Sequence, residues 1–158
     1  MIIKPTQILD AVREQLQAVF PGETVYDSML PQDFVRPASM VALTGMELDA
    51  LGAGVGAVTL RFHLKITTYC VLDVVKNSNQ PTLNLRCMSI LGAFAAGYIK
   101  TEGRAPKLTA CTVNTDGLYD CAEVKMTFSL SMDRSEFSTR ESVPMMRNFT
   151  TKINVEEN

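Results

Sequence analysis

The residues able to do chemistry in this 158-residue chain are few: one histidine, four cysteines and 17 acidic side chains. His63 is the only imidazole, so any histidine-assisted nucleophile must lie beside it. The nearest thiol in sequence, Cys70, falls on the opposite face of the same apparent strand, and no serine flanks His63. A solvent-facing strand histidine is the expectation. The thiols at Cys70, Cys87, Cys111 and Cys121 form no C-x-x-C pair, and none stands at metal-ligand spacing from His63. They read as free thiols acting as small apolar residues. Two carboxylate pairs stand close enough in sequence for acid–base work, Asp116 with Asp120 and Glu47 with Asp49. An Asp-Gly turn at Asp116-Gly117 accounts for the first pair. Solvation of a loop accounts for the second. The glycines at Gly52, Gly54 and Gly56 match neither a phosphate loop nor a dinucleotide fingerprint, and they precede a strand rather than a helix. The expectation is therefore a chain without catalytic, cofactor-binding or metal-binding residues.

Composition narrows the class further. The net charge is -2, which disfavours a duplex-DNA binder built on phosphate contacts. No apolar run approaches the roughly 20 residues of a membrane span, and the start of the chain lacks a secretory h-region. The content of 46% hydrophobic and 20% charged residues is that of a globular domain, which reads as soluble and cytosolic when synthesised.

The elements that would position these side chains follow from periodicity. Ile8, Val12, Leu16 and Val19 recur at helical spacing, and Pro21-Gly22 ends that helix. Short strands are predicted at 23–28 and 38–44, separated by a proline-bracketed loop, with a further loop at 45–56. The strongest pattern lies at 59–72. Leu60, Phe62, Leu64, Ile66, Cys70 and Leu72 share one face, and Thr59, Arg61, His63, Lys65, Thr67 and Tyr69 share the other. Such a strand extends roughly 45 Å, well beyond the usual length, so it either bends around the core or projects as an arm. A second helix is predicted over 80–99, its stripe running through Leu83, Cys87, Ile90, Phe94 and Tyr98 and its stop at Gly103. The small residues at 92–97 would allow close approach to a sheet. Strands at 107–114 and 120–133 complete the order α-β-β-β-α-β-β. The fold class is α+β, a mainly antiparallel sheet with two helices on one face. Residues 1–133 form one domain, and 134–158 form an extension that is either a mobile tail or a partner-pairing strand, with Phe149, Thr151, Ile153 and Val155 alternating weakly.

The run Phe20-Pro21-Gly22, then Tyr26, then Pro31-Gln32-Asp33-Phe34-Val35-Arg36-Pro37 leading into a strand resembles the tail-terminator (tail-completion) proteins of long-tailed bacteriophages and prophages. The extension after Asp133 departs from that family's compact pattern. The resemblance implies a structural virion protein of the head–tail junction, assembled from the host cytoplasm. It would be a homo-oligomeric ring, commonly a hexamer, capping the tail tube and meeting both the tail tube protein and the head–tail connector. DNA would pass through the lumen without sequence-specific binding. A head-closure or other neck ring protein is the nearest alternative, and a non-viral interaction module stands in a different class. Candidate contacts are Met46, Leu48, Leu51 and Val55 in the glycine-rich loop, Arg61, His63 and Lys65 on the wet face of the long strand, and Phe149 and Ile153 in the extension. Arg61 and Lys65 could also form a weak basic stripe.

Overall fold

The computed structural model describes residues 3–49, 57–73, 75, 78–115 and 120–136. It begins with helix α1, Pro5–Val19. Pro5 occupies the first turn, where its missing N–H has no intrahelical role. The Gln7 side chain accepts a hydrogen bond from the Lys4 backbone N–H at 2.8 Å, which satisfies a donor at the helix start. Gly22 follows the helix with φ of 83°, a left-handed turn that a side chain would oppose.

Five strands follow: β1 (Thr24–Asp27), β2 (Ala38–Asp49), β3 (Ala57–Tyr69), β4 (Lys107–Asn114) and β5 (Cys121–Asp133). Helix α2, Gln80–Ala93, lies between β3 and β4. The sheet order is β1-β2-β3-β5-β4. Only the β1–β2 pair is parallel, so the sheet is mostly antiparallel and the class is α+β in the expected order. Helix α1 packs on β1 and β2, α2 packs on β3 and β5, and the helices touch each other, so one sheet face carries both.

The core is the layer between helices and sheet. Register partners Phe62 and Phe128, Leu64 and Met126, and Ile66 and Val124 are all buried. Ile8, Val12, Leu16, Leu83 and Ile90 meet that layer from the helices. Phe94 sets its ring edge-on to Phe128 at 6.2 Å. Each of these large side chains contributes roughly 1.5–3 kcal/mol through burial.

Five expectations change. The segment 45–56 is not one loop, because β2 continues through Asp49, and residues 50–56 lie outside the described residues. The long strand starts at Ala57 and ends at Tyr69, leaving Leu72 41% exposed rather than under the helices, while Thr67, expected on the wet face, is buried. Nor does β3 project alone. It pairs with β5 along its whole length and with β2 along most of it, and Val58 and Met132 at its start are buried. Finally, α2 stops at Ala93, and Tyr98 stands 43% exposed beyond its end. A Cβ on Gly92 would meet nothing within 4 Å, so close approach does not explain that glycine. Gly97 instead supplies a φ of 80° in the turn that leaves the helix.

Between Leu43 and Gly45 the β2–β3 register slips by one residue, a bulge at Thr44. Before it Val41 faces the helices opposite Ile66; after it Met46 and Leu48 do so, opposite Phe62 and Leu60. The bulge thus exchanges odd for even positions on the covered face.

Candidate subunit interface

The face of the sheet away from the helices carries Arg61, His63 and Lys65, as their alternation predicts. Their electrostatics differ from a basic stripe. Arg61 lies 3.6 Å from Asp49 and 4.0 Å from Glu47. Lys65 lies 3.6 Å from Glu123. His63 shares a hydrogen bond of 2.9 Å between Nδ1 and the Thr127 hydroxyl, and its Nε2 is 3.2 Å from a Glu47 oxygen. That nitrogen makes no well-aligned hydrogen bond, so the Glu47 approach is electrostatic contact only. The three sequence-identified residues are therefore brought together in a lattice of opposite charges, and Glu47 and Asp49 are its counter-charges rather than loop carboxylates. Each exposed pair is worth about 0–1 kcal/mol. A shallow cleft at the bulge, lined by Thr44, His63, Lys65, Lys125 and Thr127, holds hydrogen-bond donors but no thiol and no carboxylate.

The β2 edge is the second feature. β1 pairs with β2 only as far as Val41. Among the described residues no strand joins the outer edge of β2 beyond that point. On this stretch Met46 and Leu48 are each 55% exposed, although they face the helix side. Their exposure follows from position: they sit at the sheet margin, past the span that β1 covers. Of the other candidate contacts, Leu51, Val55, Phe149 and Ile153 lie outside the described residues, as does the Asp116-Gly117 turn.

Two arginine clusters escaped the sequence. Arg36 donates to the Asp120 carboxylate at 2.8 Å, to the Asp120 carbonyl at 3.2 Å and to the Cys70 carbonyl at 3.4 Å. Its guanidinium lies over Phe34 and Tyr69, at 4.9 and 5.4 Å from their ring centres. Phe34 also meets Tyr69 edge-on at 4.9 Å. The proline-bracketed loop is thereby fastened to the outer face where β3 ends and β5 begins. The hydrogen bond from Arg36 holds the Asp120 carboxyl below its ordinary value. Burial, reinforced by Asp120, pushes the Cys121 thiol up to about 11, which removes its nucleophilic form near neutrality. Phe34 and Arg36 stand two positions apart and stack on each other, and that spacing was the one local signal available.

On the helix side, Arg86 of α2 grips Glu23 with two hydrogen bonds of 2.9 and 2.7 Å and donates from Nε to Thr68 at 2.8 Å. Ser39 also bonds Thr68, at 3.2 Å, and Phe20 lies under the guanidinium at 4.2 Å. This cluster is mostly buried and fully occupied with holding elements together. All four cysteines are free, Cys70 and Cys87 buried and Cys111 and Cys121 half-buried. Among the described residues no group of three metal-ligating side chains converges.

Compared with known proteins, the chain matches no protein-family model and no curated sequence.

Proposed function

We propose that this chain is a ring-forming structural subunit of a phage tail, in the tail-terminator role: it caps the tail tube, ends tube polymerisation and presents a surface to the head connector. The observation that carries the reading is the margin of β2 beyond Val41, which no strand covers among the described residues, with Met46 and Leu48 exposed beside it. An open edge with apolar side chains is a pairing hazard that proteins ordinarily cover. Covering it with a copy of the same chain, head to tail, gives a contact that closes into a ring when the rotation permits. The element order, the proline-bracketed loop and its Phe34 and Arg36 support the same reading, because they carry the resemblance to tail terminators. The outer face with its lattice of opposite charges suits a surface that DNA passes without being held.

Native mass measurement at micromolar concentration, alone and with tail tube protein, tests this. Rings are expected in at least one condition, and Met46→Glu with Leu48→Glu should abolish them while leaving the circular dichroism spectrum unchanged. A chain that stays monomeric in both conditions overturns the reading. In a host carrying the phage, deleting the gene should give overlong tails.

A further inference from the structure

We propose that the open edge of β2 receives residues 149–155 of a neighbouring copy as an added strand. The acceptor is the stretch 42–48, whose outward backbone groups meet no strand among the described residues. Because of the bulge, Met46 and Leu48 lie on its helix side and Glu47 on its outer side. The donor alternates in a matching way: Phe149, Thr151, Ile153 and Val155 share one phase, and Thr150, Lys152 and Asn154 share the other. Seated with the apolar phase beside Met46 and Leu48, the donor places Lys152 on the side that carries Glu47. Seven residues at ~3.3 Å each cover about 23 Å, the length of the acceptor stretch. Main-chain hydrogen bonds would supply affinity and the alternate side chains register.

The donor is assigned to a neighbouring copy on the ring reading, and the path of the chain is compatible with it. β5 ends at Asp133 opposite Ala57, at the end of the sheet where β2 also finishes. A 3-10 turn, Arg134–Glu136, follows, and Glu136 is ion-paired to Arg104, three residues before β4 begins. The chain therefore leaves on the β4 side, across the sheet from the β2 edge. Residues 137–148 span up to about 40 Å when extended, ample for the crossing. The inference uses the ring reading only in requiring a second copy.

Disulfide trapping in the full-length chain tests it. One preparation carries Leu48→Cys, the other Ile153→Cys, and they are mixed under mild oxidation. A cross-linked dimer is expected on mixing and in neither preparation alone. A double variant that links within one monomer overturns the proposal, and so does an oligomer that forms without any cross-link; the second result leaves the ring reading standing. A cross-linked pair that never forms rings, with or without tail tube protein, keeps the strand exchange and removes the ring. As an independent readout, Ile153→Asp should weaken self-association about tenfold or more, equivalent to about 1.4 kcal/mol, with an unchanged melting temperature at monomer concentrations. Undiminished association overturns the proposal.

Discussion

Two guanidinium groups decide how this small domain is tied together, and neither was legible as such in the sequence. Arg36 finds Asp120 across 84 positions and Arg86 finds Glu23 across 63, separations over which no local period operates. The sequence shows only that arginines and carboxylates are present. The aromatic residues beside them, Phe20 and Phe34, look like ordinary apolar side chains until their rings are seen under the cations. Asp120 gives a pH-dependent consequence. Its folded value is depressed by Arg36, so its contribution to stability is complete above the ordinary value of 3.8 and is lost as pH falls through the lower folded value. Asp120→Asn should therefore be less stable than the parent at pH 5–7, a gap that narrows as pH falls below the ordinary value and closes once the carboxylate is protonated in the folded state. The difference should stay below about 1 kcal/mol, since the carboxylate is 42% exposed and solvent screens the pair. Urea unfolding at several pH values measures it. A gap that does not narrow as the pH falls would show that the side chain acts by some route other than its charge.

At the scale of elements, the sequence pattern located both α-helices and all five strands among the described residues, missed the 3-10 turn at Arg134–Glu136, and misplaced several ends. The reason is specific in each case. A bulge at Thr44 reverses which positions of β2 are covered, so a continuous strand looked like a strand followed by a loop. Helix α2 ends at Ala93 and Gly97 takes a left-handed conformation in the turn beyond it, yet the run of small residues between them continues the helical pattern on paper. The two glycines here make opposite predictions. Gly97→Ala forces a side chain into a φ of 80° and should destabilise by about 1–2 kcal/mol. Gly92→Ala, inside α2 with open space at its Cβ, should stabilise by about 0.5–1 kcal/mol. Paired thermal melts give both signs. Equal shifts for the two variants would contradict the assignment of the helix end.

For the whole molecule, the class and the element order followed from the sequence because each long strand has one wet face and one dry face, which leaves little choice of layers. What the sequence could not reveal is the side-to-side order, in which β5 inserts between β3 and β4. The candidate site was legible in part: the alternation of β3 placed Arg61, His63 and Lys65 correctly, and their neutralising partners on β2 and β5 appear only with the register. The Arg86 cluster spans both halves of the chain, joining α2 to the end of α1, to the approach to β1, and to Ser39 and Thr68 in the central strands. Arg86→Ala leaves Glu23 largely buried without its partner and should cost about 3 kcal/mol. Replacing both, Arg86→Met with Glu23→Gln, should cost markedly less, and chemical denaturation of the two variants separates these outcomes. Equal losses would make the pair dispensable and the aromatic contact dominant.

The shortness of β1 carries a last consequence. With four residues ending opposite Val41, it acts as a doorstop on the margin of β2. A visiting strand can slide along that margin only until it meets Asp27, so one end of its travel is set by this chain and not by the visitor. Each two-residue lengthening of β1 would move the stop by about 6–7 Å. If copies pair through this margin as proposed, the height at which they engage, and with it the pitch or flatness of the assembly, is set by the length of the smallest strand in the sheet.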